Sequence, residues 1–214
     1  MDSVTGVGVL DKSVLVMRSV ASAPMNLNEL QAATGLPRAT AHRLAAALVQ
    51  HGLLRRDPEG RFDLGLDLAA LGRVAASRFP LGARSLPALR ALRDDTGESV
   101  QLFVVEGDRR RCVVSLQSPH GLQWIVPEGV LFPLGRGSAG RVLSGETSST
   151  GWVESIEERE AGVASVSAAV HDRDGMVIAA ISVSGPVERL TRQPGERCGA
   201  AVIRAAEQIA VELR

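Results

Sequence analysis

The first quarter of the chain has the apolar spacing of helices, interrupted by glycine and proline. Residues 10–21 repeat apolar side chains at helical intervals. Asn26, followed by Glu29, is typical of a capping box, in which the Asn side chain accepts from the first turn and the Glu side chain reaches back. Gly35 suits a left-handed helix end, and Pro37 suits a first helical position. The pattern predicts helices over residues 10–21, 27–34 and 37–51.

The third predicted helix is followed by a short hairpin. Ala41, Leu44 and Leu48 share one face of this helix, which we expect to dock on the other two helices. Two strand-like pieces then flank the turn Asp57–Gly60, where Gly60 supplies a turn position. Two short helices joined by a tight glycine turn, after a longer helix and before a hairpin, predict a winged helix-turn-helix.

Strand patterns dominate the chain after Glu98. Two hairpins are predicted, one turning at Gly107-Asp108 and one at Asp172–Gly175. Antiparallel strands flanked by helices predict an α+β domain. The further predicted elements are helices over 66–79, 85–96, 137–145, 152–160 and 194–213, and strands over 122–126 and 130–134.

Positive charge is concentrated in the predicted winged helix-turn-helix, although the formal net charge of the chain is zero. Residues 36–56 contain four arginines and no acidic residue. A helix that enters a major groove presents small or hydrogen-bonding residues together with cations that reach phosphates, and a wing lies over the backbone or the minor groove. Charge alone leaves a solvated basic face open, but the capping, turn and hairpin context favours groove binding. The predicted DNA-contacting residues are Lys12, Pro37, Arg38, Ala39, Thr40, His42, Arg43, Arg55, Arg56 and Arg61.

Composition narrows the class of protein. A hydrophobic content of 45% is ample for a core, and the two cysteines have no CxxC spacing. This usage fits a reducing, cytoplasmic compartment. The four histidines form no metal-ligand pattern, and neither a signal sequence nor a membrane span is evident. We therefore predict no metal, no cofactor and no membrane association.

Two patterns in the second half are candidates for ligand binding. The sequence GRGSAG at 135–140 matches the dinucleotide fingerprint, but that motif requires a parallel βαβ crossover, which antiparallel hairpins do not supply. The amides that begin the following helix remain a candidate for holding a small carboxylate. Ser182 and Ser184 alternate on an otherwise apolar strand, where they are ligand donors or bond locally to the backbone. Trp124 lines a pocket or fills the core, and Cys112 is most simply a buried thiol.

These stretches together resemble the isocitrate lyase regulator (IclR) family of bacterial transcription factors. The matching stretches are VLDKSVLVMRSVA, LNELQAATGLPRATAHRLAAALVQHGLL and GRFDLG in the first half, and GSAGRVL and EREAGVASVSAAVHDRDGMVIAAISVSGP in the second. GVASVSA and ISVSGPVERLTR further resemble a subgroup of actinobacterial regulators of leucine and other amino-acid metabolism.

The resemblance implies a winged helix-turn-helix at 1–65, a linker helix at 66–80 and a GAF/profilin-like α+β effector domain at 81–214. It also implies homodimers, often dimers of dimers, that bind palindromic double-stranded DNA and respond to a small organic acid or amino acid. The serine pair matches the effector pocket of the family, and the start of the GSAGRVL helix matches a segment whose backbone meets the effector. The predicted effector-binding residues are Gln101, Trp124, Ser138, Ala139, Ser167, Ala169, Ser182 and Ser184.

The sequence departs from the family pattern in one place. The family has a further helix-containing segment after the GSAGRVL helix, whereas only Ser144–Thr150 separates Leu143 from Gly151 here. Either residues have been lost or a segment is missing from the chain as given, and we favour the second.

A ligand-responsive transcriptional regulator without enzymatic activity is thus the leading hypothesis. The alternatives are a small-molecule enzyme on the second domain and a winged helix that binds protein instead of DNA. The sequence offers no nucleophile elbow and no acid–base set for an enzyme, although His171 and Asp172 could be imagined beside Ser182.

Overall fold

The structure, a computed structural model, describes residues 7–78, 80–146 and 148–213. Its internal contacts separate two units, Met1–Arg78 and Phe79–Arg214. The first unit contains helices α1 to α4 and a two-stranded sheet. Its elements are α1 (Gly8–Val20), α2 (Leu27–Thr34), α3 (Arg38–Gln50), β1 (Leu54–Arg56), β2 (Phe62–Leu64) and α4 (Leu66–Arg78).

The local signals around α2 act as predicted. The Asn26 side chain accepts from the amides of Asn28 and Glu29 at 2.9 and 3.1 Å, and the Glu29 carboxylate accepts from the Asn26 amide at 2.8 Å. Gly35 ends the helix with a φ of 66°, which is the left-handed conformation that glycine adopts without steric cost. The capping-box prediction is confirmed, and α2 has the predicted bounds.

The first unit has a small core between its three helices and its hairpin. Val16 and Leu30 pack with Ala41 and Leu48 of α3, and Phe62 of the hairpin is fully buried against them. Pro37 precedes α3 and does not occupy its first turn, because its ψ of 140° is extended while its carbonyl accepts from the Ala41 amide. The predicted start of this helix is therefore one residue too early.

The second unit is built on one antiparallel sheet. Its elements are α5 (Leu81–Thr96), β3 (Ser99–Glu106), β4 (Arg109–Leu116), β5 (Leu131–Pro133), α6 (Ser138–Leu143), β6 (Val153–Ile156), β7 (Val163–His171), β8 (Val177–Pro186), α7 (Val187–Leu190) and α8 (Pro194–Glu212). The strand order is β5-β4-β3-β8-β7-β6, and every neighbouring pair is antiparallel. Helices α5 and α8 cover one face in the main core, and α6 packs on the opposite face. The α+β prediction is confirmed.

Helix α5 begins at Leu81, four residues before its predicted start, and two other segments of the second unit differ from the predicted secondary structure. Residues 122–126 are irregular, because the free edge of β4 is taken by Leu131–Pro133. Residues 152–160 do not form a helix: Val153–Ile156 is a strand that pairs with β7 and buries every second side chain. Cross-strand pairing and period-two burial therefore override the helical character of this acidic stretch.

The connection from α6 to β6 is short. The sequence is continuous here, so the expectation of a missing segment is wrong. Gly145 donates to the carbonyl of Val142, and Glu146 accepts two hydrogen bonds from Arg141, at 2.6 and 2.7 Å, which folds the turn back on α6.

Helix α8 is fixed to the sheet by an aromatic contact. Gly195 and Gly199 lie against the ring of Trp152, and a Cβ atom at either glycine would overlap that ring. Glycine is required here by close packing. Within the described residues, no helix is both long and apolar enough to cross a membrane.

Candidate DNA-binding surface and effector pocket

Helix α3 separates an apolar face from a polar one. Ala41, Leu44, Ala45 and Leu48 are buried in the core of the first unit. The opposite side of the first two turns presents a small side chain and several hydrogen-bonding groups. Pro37, Arg38, Ala39, His42 and Arg43 are exposed and Thr40 is half-buried. This is the distribution that a helix needs in order to enter a major groove.

The two arginines of α3 differ in their partners. The Arg38 guanidinium donates to the Asn28 side chain of α2, across the turn between the two helices. Arg43 is exposed and has no ion-pair partner among the described residues. Arg43 is thus the cation of this helix that is most available to a phosphate or a base edge.

The wing presents two further arginines. Arg55 pairs with Asp63, which lies directly opposite on the hairpin. The Arg56 guanidinium lies 4.1 Å from the centroid of the Phe62 ring and donates to the carbonyl of Gly60. Both side chains are exposed. Lys12 is exposed on α1.

Arg61 has a different environment from its neighbours in the wing. Its guanidinium donates to the carbonyl of Pro24 and lies 3.1 Å from the Glu29 carboxylate, while its Nε atom is buried. The backbone of Phe62 also pairs with Met25 beside it. Arg61 therefore ties the hairpin to the cap of α2, a contact within the protein that competes with any contact to DNA.

The face of the sheet opposite α5 and α8 holds a recess under α6. It encloses about 400 Å³ including its open mouth. Its lining combines serine hydroxyls, four aromatic or aliphatic side chains and two arginines, with no carboxylate among the lining residues of the described chain. The lining residues are Gln101, Phe103, Arg110, Trp124, Gly137, Ser138, Ala139, Ser155, Arg159, Val163, Ser165, Ser182 and Ser184.

Serines from α6 and from the neighbouring strands β7 and β8 form the floor of the recess. Ser138 Oγ lies 2.7 Å from both Ser165 Oγ and Ser167 Oγ. Ser184 Oγ donates to Gln101 Oε1 at 2.8 Å, which leaves the buried Gln101 Nε2 without a protein partner in the described residues. A buried donor without an acceptor is costly, so this amide is set to donate to a ligand.

A buried arginine forms one side of the recess. Arg110 is 1% exposed; its Nη1 donates to the carbonyls of Pro133 and Leu134, while its Nε has no partner among the described residues. Its guanidinium carbon lies 5.4 Å from the ring centroid of Phe103 and 5.5 Å from that of Phe132. Burial, and then the neighbouring charge of Arg159, lowers the pKa of Arg110 to about 10.

Two glycines of GRGSAG, Gly137 and Gly140, make room for the two arginines. A Cβ atom on Gly140 would overlap both the Leu134 carbonyl and the Arg110 guanidinium. A Cβ atom on Gly137, which has a φ of 75°, would lie 2.8 Å from Cδ of Arg159. Because every strand pair is antiparallel, the parallel crossover that a dinucleotide site needs is absent from the described sheet. Packing accounts for Gly137 and Gly140, whereas Gly135 lies in open space.

The structure brings most of the predicted effector residues together. Gln101, Trp124, Ser138, Ala139, Ser182 and Ser184 line the recess. Ser167 is fully buried beneath Ser138, and Ala169 packs in the adjoining apolar cluster.

Seven lining residues are absent from the predicted set: Phe103, Arg110, Gly137, Ser155, Arg159, Val163 and Ser165. Ser155 was missed because its strand was assigned as a helix. Arg110 gave a weak signal, an arginine between two others in a strand, and only the register of β4 shows that it points inward while Arg109 is exposed.

The residues considered for catalysis, Ser182, His171 and Asp172, do not form a catalytic site. His171 lies four residues beyond Ser167, the cross-strand partner of Ser182, and is therefore roughly 13 Å along the strand from that serine. Burial raises the pKa of the Cys112 thiol to about 12, which keeps it protonated and unreactive.

Two family descriptions match the chain in separate places. "IclR helix-turn-helix domain" matches residues 9–58, and "Bacterial transcriptional regulator IclR C-terminal" matches residues 145–211. Together the matches cover more than half of the chain, and they fall on the helix-turn-helix and on the part of the sheet that carries the serine floor.

Characterised relatives extend over both units. The glycerol operon regulatory protein of Streptomyces griseus is 28% identical over 85% of this chain and 85% of its own. The transcriptional repressor IclR of Escherichia coli is 27% identical over 86% of this chain and 81% of its own. The similarity to these relatives thus extends over most of both units.

Solved structures share the fold. An IclR homologue of Microbacterium hydrocarbonoxydans, complexed with 4-hydroxybenzoate, superposes with a TM-score of 0.78 at 20% identity over 96% of this chain and 99% of its own. The Thermotoga maritima IclR superposes with a TM-score of 0.77 at 18% identity, covering 96% and 98%. The chain therefore belongs to the IclR family of transcriptional regulators, with an N-terminal DNA-binding helix-turn-helix domain and a C-terminal effector-binding domain.

Proposed function

We propose that this regulator reads its operator with the exposed face of α3 and holds the DNA backbone with its wing. The proposal is carried by residues 36–56, a segment that contains no acidic residue. All four of its arginines are exposed, namely Arg38, Arg43, Arg55 and Arg56. Ala39, Thr40 and His42 supply the small and hydrogen-bonding groups for the base edges. Lys12, Pro37 and Arg61 flank this surface, with Arg61 acting mainly inside the protein.

A homodimer on a palindromic operator is part of the proposal. Helix α4 buries none of its side chains, and Leu66, Leu71 and Val74 on it are more than half exposed. Val9 and Leu10 on α1 are exposed in the same way. Such apolar surface is typical of an interface between subunits, and two copies would double the number of phosphate contacts. A dimer of dimers would again double the number of phosphate contacts.

The effector is proposed to be a small organic acid that binds in the recess of the second unit. Two arginines and the Gln101 amide face a volume without any lining carboxylate in the described chain, which favours an anion over a cation. Two relatives are named after the glycerol and acetate operons, which supports a role in carbon metabolism. An amino-acid effector would need a carboxylate to meet its ammonium group.

The protein is proposed to act by binding, without turnover, in the cytoplasm where its DNA target lies. This part of the proposal is supported by the separation of His171 from the serine floor and by the protonated state of Cys112. Turnover of a small organic acid by the full-length protein, followed by mass spectrometry, would contradict it.

The decisive variant for DNA reading is Arg43→Ala. We expect it to weaken binding to the DNA upstream of its own gene by about ten-fold or more, because one base or phosphate contact is lost in each protomer. Fluorescence anisotropy over a range of salt concentrations measures this loss. If Arg43 contacts a phosphate, each lost contact also lowers the salt slope by about 0.9.

The matched control is Arg90→Ala, which removes an exposed arginine from α5 of the second unit. It should leave both the affinity and the salt slope unchanged. Equal losses in the two variants would mean that general positive charge, and not α3, determines binding. No binding by the wild-type protein at low salt would overturn the proposal.

A further inference from the structure

Five arginines of the second unit have shifted pKa values, and they fall into two groups according to their partners. Arg111, Arg141 and Arg189 each form paired hydrogen bonds to a carboxylate, and in each case these bonds raise the pKa of the guanidinium. Arg110 and Arg159 have no ion-pair partner among the described residues, and burial lowers the pKa of both. Arg110 and Arg159 are thus the two of these five arginines that lack a carboxylate partner, and both line the recess.

The acidic groups near this pair are engaged elsewhere. Glu158 accepts from Ser155 at 3.0 Å and from the Gly137 amide, and it lies 3.7 Å from Arg141, so its charge is shared among several groups besides Arg110. Glu160 is exposed. Both attract the arginine pair weakly, since neither reverses the fall in pKa that burial causes. Arg136 adds a further positive charge beside Arg159.

The two guanidinium groups are also fixed in position. Those of Arg110 and Arg159 lie 5.5 and 4.1 Å from the centroid of the Phe132 ring. Gly137 and Gly140 leave the space that these side chains fill. The buried Nε of Arg110 and Nε2 of Gln101 remain as donors without a protein acceptor in the described residues. The recess therefore holds two positive charges and at least two free donors on immobilised groups.

We propose that the effector of this regulator is a dianion whose two negative charges are matched by Arg110 and Arg159. A buried charge without a counter-charge is costly, so a monoanion would leave one of the two guanidinium groups uncompensated. Two ligand classes supply the same charge: a short dicarboxylate and a phosphate monoester. The inference rests on the proposed function and narrows it, because a small organic acid with one charge would satisfy that proposal but not this one.

The test compares probes of equal size and different charge. Malonate, succinate and glutarate are each titrated into the full-length wild-type protein beside their monoamides and diamides, with isothermal calorimetry at pH 7.5. Propyl phosphate and butyrate form the second arm, since the phosphate is mostly doubly charged at this pH. We expect at least one dianion to bind about ten-fold or more tightly than its singly charged match, which is the range of one charge-assisted hydrogen bond. The arm that shows the larger ratio identifies the ligand class.

A variant then tests whether Arg159 binds the second negative charge of the ligand. Arg159→Gln should bring the ratio between dianion and monoamide towards one, while the monoamide keeps its affinity. Arg136→Gln removes an exposed neighbouring arginine that does not line the recess, and it should leave the ratio unchanged. A thermal melt verifies that both variants are folded.

The outcomes separate the two proposals. Monoamides that bind as tightly as the diacids would overturn the dianion and leave an organic-acid effector in place. Binding by the neutral diamides alone, or by none of the probes at millimolar concentration, would overturn both. Unchanged selectivity in Arg159→Gln would overturn the role of that residue.

Discussion

The arginines of α3 and the arginines of the recess are the same residue type in opposite surroundings. Arg43 is exposed to water, whereas Arg110 is 1% exposed and is held against two aromatic rings. A hydrated cation costs little while it waits for a phosphate, and the release of counterions drives its binding. A dehydrated cation raises the free energy of the unliganded protein, and an anionic ligand recovers that cost.

This contrast assigns a different kind of specificity to each unit. On the DNA-binding surface, charge gives affinity and the neighbouring polar residues give sequence preference. In the recess, the proposed anionic effector would be selected by the buried charge itself, because that charge discriminates against neutral molecules of the same shape.

The largest expected effect follows from filling the space that Arg110 occupies. Gly140→Ala should lower the free energy of unfolding by about 3 kcal/mol or more, since its Cβ atom overlaps a backbone carbonyl and the guanidinium together. Gly135→Ala, in the same motif but in open space, should change it by less than about 0.5 kcal/mol. Both tryptophans of the chain, Trp124 and Trp152, lie in the second unit, so urea unfolding followed by tryptophan fluorescence reports on this unit. Equal stability of the two variants would show that the recess is not closely packed around Arg110.

A smaller effect separates the two roles within the wing. Arg61→Ala removes the contacts to Pro24 and Glu29, and it should speed amide hydrogen exchange in α2 by about five-fold, equivalent to about 1 kcal/mol. Arg56→Ala should leave that exchange unchanged and weaken DNA binding instead. The reverse pattern would place Arg61 on the DNA and remove its role as a tie to the helix cap.

The smallest expected effect is that the Cys112 thiol does not react with an alkylating reagent in the native protein. Cys112 lies near Arg159, whose charge alone would favour the thiolate, but burial dominates and raises its pKa to about 12. At pH 8 the native protein should therefore resist labelling by iodoacetamide at Cys112 and react fully in denaturant. Rapid labelling of Cys112 in the native protein would mean that water reaches this region and that the charges of Arg110 and Arg159 are hydrated.

Local signals account for the elements that the sequence predicted correctly. Helix α2 is bounded by Asn26, Glu29 and Gly35, which act on their own neighbours in the chain and need no tertiary partner. The hairpins of the second unit turn where glycine adopts a positive φ, at Gly107 and Gly175. The alternation of Ser182 and Ser184 likewise placed both hydroxyls on one face of β8, and both line the recess.

The errors occurred where distant parts of the chain compete. Residues 122–126 have the composition of a strand, but the edge of β4 pairs with Leu131–Pro133 instead. Val153–Ile156 has the acidic surroundings of a surface helix but pairs with β7. No short stretch records which of two segments a sheet edge will accept, because that choice depends on packing across the whole unit.

The sequence by itself determined the helix-turn-helix, its basic face and the serine strand of the effector domain, because caps, turns and alternation act over a few residues. Only the tertiary structure decided that Arg110 points inward, that Arg61 turns away from the wing surface, and that Gly137 and Gly140 make room for two arginines. Each of these depends on which atoms meet across distant segments. The charge of a side chain can be read from the sequence, but its hydration and its counter-charge are set by the fold.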